Sequence, residues 1–164
     1  MTRQLFGWLL AALLLGGCAA TVPGLAVPAP LRGADSADPV DVIHDALTTM
    51  FGWRPTTDGS PADAYTRARP YLTEQLAARA GQDTGEGSQS QWEQWRDRGA
   101  TITVTVEVTT EEHPPDQDAR MDRVVLITQT IAYPGGGDSE TIDMTVWTTV
   151  VRTEAGWRIN AMQF

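Results

Sequence analysis

The sequence predicts an α+β domain in which N-terminal helices pack on one face of a curved antiparallel sheet of about four strands. Two observations indicate this class. Between residues 38 and 98, apolar residues recur every three or four positions, which is the spacing of amphipathic helices. After Gly99 the interval becomes two, and turn residues divide the rest of the chain into strand-length segments. Helices followed by consecutive strands favour a sheet that carries its helices on one face.

The first helix is predicted to begin near Asp38 and to end at Gly52. The Asp38 side chain can accept a hydrogen bond from a free amide of the first turn, and Pro39 suits that turn because it has no amide proton to leave unpaired. Gly52 follows the last apolar position and is a common helix stop. The face expected to enter the core consists of Val40, Ile43, Leu47, Met50 and Phe51.

Two shorter helices are expected next. Ser60 and Pro61 begin the second, and Pro70 interrupts it because a proline ring is incompatible with a helix interior. The third is predicted over residues 71–80, where Tyr71, Leu72, Leu76 and Ala80 continue the helical spacing up to Gly81.

A mobile loop and one more helical turn complete the first half of the domain. Residues 81–90 are largely Gly, Ser, Gln and acidic residues, a composition typical of loops. Residues 91–98 contain Trp92 and Trp95 at a spacing of three, which places both indole rings on one side of a helical turn. We expect both rings, and that of Trp157, to lie in the core.

Four strands are predicted after Gly99. In the first, isoleucine and valine alternate with polar residues, and prolines 114 and 115 end it. The second covers residues 123–133 and is apolar on both faces, which favours a central place in the sheet. The third covers residues 141–152, and the fourth covers residues 157–164. The turns between them contain Pro134 followed by three glycines, and Glu154-Ala155-Gly156.

An apolar segment precedes the domain and ends in the only cysteine of the chain. Arg3 is followed by a run of about ten apolar residues, which is the length of a secretory signal and too short for a stable transmembrane helix. The residues that follow are Leu15-Gly16-Gly17-Cys18. They resemble the bacterial lipobox, and an ordinary secretory signal is the alternative. The resemblance implies that residues 1–17 are a lipoprotein signal peptide, that the Cys18 sulfur receives a diacylglycerol, and that Cys18 becomes the new N-terminus. Two or more acyl chains would hold the protein stably on the outer face of the cell membrane.

Residues 18–37 are expected to be the lipidated N-terminus and a flexible spacer. Their prolines, alanines and glycines show no periodicity, so they offer little apolar surface to bury. The folded domain is then predicted over residues 38–164.

The composition narrows the range of functions. The formal net charge of −9 argues against a nucleic-acid partner, because phosphates require a basic surface. One cysteine permits neither an intrachain disulfide nor a thiolate metal cluster, and we expect no metal and no cofactor. All lysine and arginine positions are arginines, which suggests a GC-rich genome such as an actinobacterial one.

The domain resembles the nuclear transport factor 2-like superfamily, whose members have a cone-shaped fold. The resemblance depends on the first helix, on residues 64–73 (Ala-Tyr-Thr-Arg-Ala-Arg-Pro-Tyr-Leu-Thr), on the long strands, and on residues 154–159 (Glu-Ala-Gly-Trp-Arg-Ile). It is similar to extracytoplasmic members that accompany mammalian-cell-entry transporters or assemble conjugation and type IV secretion systems. This implies a membrane-tethered accessory or scaffold domain, with an envelope protein as partner and no enzymatic activity. This chain has a lipobox where those proteins have a transmembrane helix.

Other members of the superfamily imply two alternatives: a small apolar-ligand-binding lipoprotein, and a cyclase-like or isomerase-like enzyme. His44 is the candidate base for the enzyme, because it borders the apolar face of the first helix. No carboxylate is clearly placed beside it, so we interpret it as a partly buried boundary histidine. Asp143 is expected on the wetter face of the third strand, and His113 is expected to be solvated.

Two tryptophans are the other candidate site residues. For Trp53 and Trp147 a place in the core and a place in a pocket or partner surface are equally favoured, and His44 is the third candidate for that pocket or surface. No catalytic residue is predicted.

Overall fold

The computed structural model describes residues 33–35, 37–79, 87–110 and 113–164. Its helices are α1 (Pro39–Phe51), α2 (Pro61–Ala68), α3 (Glu74–Arg79) and α4 (Gly87–Asp97), and a 3₁₀ turn over Arg69–Tyr71 joins α2 to α3. Its strands are β1 (Thr101–Val108), β2 (Arg120–Ala132), β3 (Glu140–Thr153) and β4 (Gly156–Gln163). The predicted order, helices first and strands after them, is confirmed. No helix in the described ranges is long and apolar enough to cross a membrane.

The four strands form one antiparallel sheet in the order β1-β2-β3-β4. The central place predicted for the second strand is confirmed, although β2 begins at Arg120, before the expected Arg123. The turn between β2 and β3 uses Gly135, Gly136 and Gly137 at φ values of 94°, 78° and 126°, which other residues rarely adopt. A register shift between Thr149 and Val150 interrupts the pairing of β3 with β4.

Helix α1 packs against the inner face of the sheet. Val125 of β2 pairs with Val146 of β3, and Val150 of β3 pairs with Ile159 of β4, so their side chains form a continuous apolar surface. These four residues are fully buried, and they form the core with Val42, Ile43, Ala46, Leu47 and Met50 of α1. Helices on one side of a four-stranded antiparallel sheet are the predicted α+β class.

Both ends of α1 follow from their local sequence. The Asp38 carboxylate accepts a hydrogen bond from Val40 N at 2.9 Å, as predicted, and Pro39 is the first helical residue. A Cβ atom at Gly52 would lie 2.6 Å from Thr48 O, so a larger residue would clash with the last turn. The Gln129 amide of β2 donates to Phe51 O at 2.7 Å and so ties the end of α1 to the sheet.

The prediction of one continuous helix over residues 71–80 was wrong at its start. Tyr71 belongs to the 3₁₀ turn, and Leu72 is extended and pairs with Ile159 of β4 in an isolated parallel bridge. Thr73 N donates to Ile159 O at 2.9 Å, and α3 begins only at Glu74. Leu72 is buried in the core by this pairing, which supplies the apolar contact that a helix would otherwise have made.

The predicted boundary between the loop over residues 81–90 and the helix that follows it was also wrong. Helix α4 begins at Gly87, and residues 80–86 lie outside the described part of the chain. The first turn of α4 contains glycine, serine and glutamine, so apolar periodicity reveals only its second half, where Trp92 and Trp95 are buried as predicted.

Candidate functional site

The predicted lipidation site lies outside the described residues. Cys18, the signal over residues 1–17 and most of the spacer belong to the first 32 residues, which the structure does not describe. Lipidation, the signal peptide and the boundary at Asp38 therefore remain predictions.

His44 lies on the surface of α1, where its side chain is 29% exposed. Its Nδ1 atom is 3.2 Å from Oδ1 of Asp45, whose side chain is only 2% exposed. The expectation that no carboxylate lies beside His44 was therefore wrong. Residues adjacent in sequence do not normally face each other on a helix. The sequence separation of His44 and Asp45 therefore did not indicate this pair. His44 lines neither of the two cavities described below.

Asp45 also holds the segment that precedes α1. Its Oδ2 atom accepts a hydrogen bond from Gly33 N at 2.8 Å. From the other side, Arg158 of β4 donates to Ala34 O at 2.7 Å. We call Asp45 and Arg158 the clamp, because together they fix residues 33–34 against the folded domain.

A helix-side cavity of about 540 Å³ lies between α1 and β1. Its walls include Thr48, Trp53, Tyr71, Ile102, Thr103 and Val104. Burial raises the pKa of the Tyr71 hydroxyl, and the negative charge of Asp45 raises that pKa further. This hydroxyl therefore stays neutral at physiological pH.

Trp53 forms part of an aromatic cluster beside that cavity. Its ring centroid lies 6.2 Å from that of Trp92 and 5.9 Å from that of Trp95, and its indole N–H donates to Met50 O at 3.1 Å. These distances are typical of aromatic pairs that stabilise a core. Trp53 is thus held between α1 and α4, with part of its surface on the cavity wall.

Trp147 lies on the opposite face of the sheet, away from the helices that the structure describes. Its side chain is 54% exposed, and that of Leu126 is 41% exposed. Trp147 pairs directly with Val124 of β2, so these three residues form a continuous apolar surface that we call the outer patch. Asp143 lies on the same exposed face, as predicted.

An outer cavity of about 300 Å³ adjoins the outer patch. Its walls include Pro114, Val124, Trp147, Thr149, Ala161 and Gln163. Sequence reasoning missed this cavity because its walls come from three strands and a loop that are distant in the chain.

The charged groups around the outer cavity form two bidentate ion pairs. Arg120 donates to both carboxylate oxygens of Asp122, at 2.9 Å each, and Arg123 donates to both oxygens of Asp116, at 2.6 and 2.7 Å. The hydrogen bonds from these arginines lower the pKa of both carboxyl groups. Residues two apart on a strand share a face, so the spacing of Arg120 and Asp122 was the available signal for one pair.

His113 is less solvated than expected. Its side chain is 23% exposed, its Nδ1 atom lies 2.8 Å from Pro114 O, and its ring lines the outer cavity. The prediction that this histidine is simply solvated was therefore wrong. Among the described residues, no three His, Cys, Asp or Glu side chains are grouped so as to hold a metal ion.

Comparison with known proteins adds information on the fold alone. No family model matches the sequence, and no curated protein matches it. Among solved structures, the chain is similar to an IcmL-like type IV secretion system protein from Legionella pneumophila, with a TM-score of 0.50 and 8% identity over 74% of this chain and 86% of that one. It is also similar to a periplasmic fragment of TraM, with a TM-score of 0.51 and 11% identity over 75% of this chain and 91% of that one.

A third structure has a lower similarity. It is CagV, a VirB8 homologue from Helicobacter pylori, with a TM-score of 0.46 and 11% identity over 74% of this chain and 95% of that one. At such identities the first two likenesses establish a shared fold alone, in which helices cover one face of an antiparallel sheet.

Proposed function

We propose that the chain is a lipid-anchored, extracytoplasmic scaffold or accessory domain of a cell-envelope transport or secretion complex, without enzymatic activity. The observation that carries this proposal is the contrast between the two faces of the sheet. On the inner face, the side chains of α1 bury the apolar residues of β2, β3 and β4, whereas the outer face exposes Trp147 and Leu126. Exposed aromatic residues on a folded domain are typical of surfaces that bind other proteins.

The structural neighbours support the same class of role. One is a type IV secretion system protein, and the other is a periplasmic fragment. By analogy, we place this domain outside the cytoplasmic membrane with an envelope protein as partner. The lipobox-like segment before Cys18 would supply the anchor.

A ligand-binding lipoprotein is the second candidate function. The helix-side cavity favours it, because about 540 Å³ lies within the range of small-molecule pockets and the walls include Trp53, Ile102 and Val104. A cyclase-like or isomerase-like enzyme that uses His44 has less support. Although His44 has a carboxylate beside it, it lines neither cavity, so no described pocket places a substrate proton within its reach.

Complementation of a deletion strain separates the three functions. The variant His44→Gln removes the candidate base, and Thr48→Trp introduces a large ring at a partly exposed position of α1 in the wall of the helix-side cavity. If the domain is a scaffold, both variants should correct the envelope transport or secretion defect of the deletion strain as well as the parent chain does. Loss of function in either one, at an unchanged melting temperature, would replace the scaffold by the enzyme or by the ligand carrier respectively.

Photo-crosslinking in intact envelopes tests the scaffold directly. A photoreactive amino acid is placed in the full chain at position 44, 147 or 164, so that different surfaces are probed. We expect at least one position to crosslink to another envelope protein, and crosslinking from none of them would contradict the proposal.

A further inference from the structure

We propose that the outer patch and the outer cavity together bind a segment of the envelope partner that carries one large uncharged apolar side chain and, about four residues away, an arginine or lysine. This inference rests on the proposed scaffold function, since it assumes a protein partner. It specifies the face of the domain and the chemistry of the segment that the face recognises.

The apolar side chain is inferred from the outer cavity. Trp147 forms one wall and is half exposed, so a side chain placed against it would bury apolar surface on both sides. The arginines at the cavity are already neutralised, because Arg120 is bonded to Asp122 and Arg123 to Asp116. A charged side chain would find no free counter-ion among these pairs and would lose its own hydration. The cavity therefore fits an aromatic or long aliphatic residue.

The basic residue is inferred from two carboxylates at the other end of the outer patch. Glu107 of β1 pairs with Leu126, and Asp143 of β3 pairs with Thr128 of β2. Both carboxylates are exposed, and neither forms a salt bridge with any residue in the described ranges, although the Thr128 hydroxyl donates to Asp143 at 2.7 Å. The chain as a whole carries a net charge of −9. A cation on the partner would therefore complement this end of the patch.

The spacing between the apolar residue and the basic residue of the partner segment follows from the geometry of β2. Val124 lies at the outer cavity, and Thr128, opposite Asp143, lies four residues further along β2. At about 3.3 Å per residue this separation is roughly 13 Å. An extended segment crosses that distance in about four residues, which sets the interval between its apolar anchor and its basic residue.

Selection from a library of random linear peptides displayed on phage tests this inference, with the full chain kept soluble in detergent as bait. We expect the enriched peptides to combine a large apolar residue with Arg or Lys about four positions away. Their synthetic versions should bind the Trp147→Ser variant at least about tenfold more weakly than the parent chain, because a central aromatic contact is lost. The double variant Glu107→Gln/Asp143→Asn should weaken binding severalfold and reduce its dependence on salt.

Phe164→Ser is the matched control. Phe164 is also exposed, at 67%, but its ring lies 6.0 Å from that of Phe51 on the helix side, so this variant should bind the peptides as the parent chain does. Enrichment of acidic or uncharged peptides, equal binding to Trp147→Ser, or no enrichment at all would overturn the inference. If the selection fails while another surface crosslinks to an envelope protein, the scaffold function stands and only this binding face is rejected.

Discussion

Gln129 is a fully buried polar side chain on the inner face of the sheet. Its amide nitrogen donates to Phe51 O at 2.7 Å, whereas its Oε1 atom has no partner in the described part of the protein. The hydrogen bond gives a second donor to a carbonyl at the end of α1, which also accepts from Trp53 N at 2.9 Å. The position of α1 on the sheet thus depends on one polar contact as well as on apolar packing.

Replacing this side chain by an apolar one of similar size should destabilise the domain. In Gln129→Met the volume is nearly kept, but Phe51 O loses one of its two donors and keeps Trp53 N at 2.9 Å. We therefore expect the free energy of unfolding to fall by about 0.5–1.5 kcal/mol, the net contribution of one hydrogen bond. Urea unfolding followed by tryptophan fluorescence measures this loss. The control Gln129→Glu should cost more, since it removes the same donor and buries a carboxylate. A Gln129→Met protein as stable as the parent chain would show that the bond contributes nothing.

At the scale of single residues, the sequence predicted the buried aromatic side chains but not the buried polar ones. Trp92 and Trp95 were correctly predicted to be buried, because their spacing places both rings on one side of a helix. Asp45 and Gln129 were missed, because their partners, Gly33 and Phe51, are distant in the chain. The exposure of Trp147 follows from strand alternation, but the outer cavity beside it depends on how three strands and a loop meet.

Near the start of β2, one carboxylate joins an ion pair within the strand to a hydrogen bond from β3 on the outer face of the sheet. Arg120 is bonded to Asp122, and the Thr149 hydroxyl of β3 also donates to that carboxylate. The hydrogen bond from Arg120 is the main reason that the pKa of Asp122 lies below its ordinary value of 3.8. An acid with a lowered pKa in the folded state stabilises that state only when it is ionised.

The contribution of Asp122 to stability should therefore depend on pH. It is fully present above a pH of about 4 and is lost as the pH falls through the lowered pKa of the folded state. We expect Asp122→Asn to melt below the parent chain at pH 7, and the two melting temperatures to converge as the pH falls towards 2. The matched variant Arg120→Gln should show the same convergence. A constant difference between pH 7 and pH 2 would mean that the Asp122 charge does not stabilise the fold.

Elements with a strong periodic pattern were predicted well, and those shaped by tertiary pairing were not. Helix α1 and strand β1 have the expected type and nearly the expected bounds, since an apolar face or strict alternation defines each of them. The segment at Leu72 has helical spacing but is extended, because its pairing with Ile159 of β4 replaces the first helical turn. No local pattern contains that information.

At the scale of the whole molecule, the fold class, the strand order and the central place of β2 were predictable from the sequence. Strands that follow one another with short turns pair with their neighbours, so an antiparallel meander was the expected topology. The partner and any ligand were not predictable, because proteins with the same fold have many functions. The function of each depends on the residues that it exposes on its surface.

The prediction that concerns the whole protein is its attachment to the membrane by a lipid on Cys18. We expect the full chain to incorporate a radioactive fatty acid and to remain with membranes after a high-salt wash. Cys18→Ser should lose the label and, once its signal is removed, be released, because the sulfur that would carry the lipid is gone. Cell fractionation with immunodetection measures both forms. If Cys18→Ser stays on the membrane with its signal removed, the lipobox interpretation is wrong.

The clamp determines how a pull on the N-terminus would reach the domain. If Cys18 is held by lipid, tension passes along at most fifteen residues to Gly33, a contour of about 50 Å. There Asp45 holds Gly33 N and Arg158 holds Ala34 O, so the force divides between the middle of α1 and β4, at opposite ends of the folded sequence. Force would therefore not act directly on the N-terminal turn of α1. The domain would resist unfolding from its first helix when a neighbouring complex moves relative to the membrane.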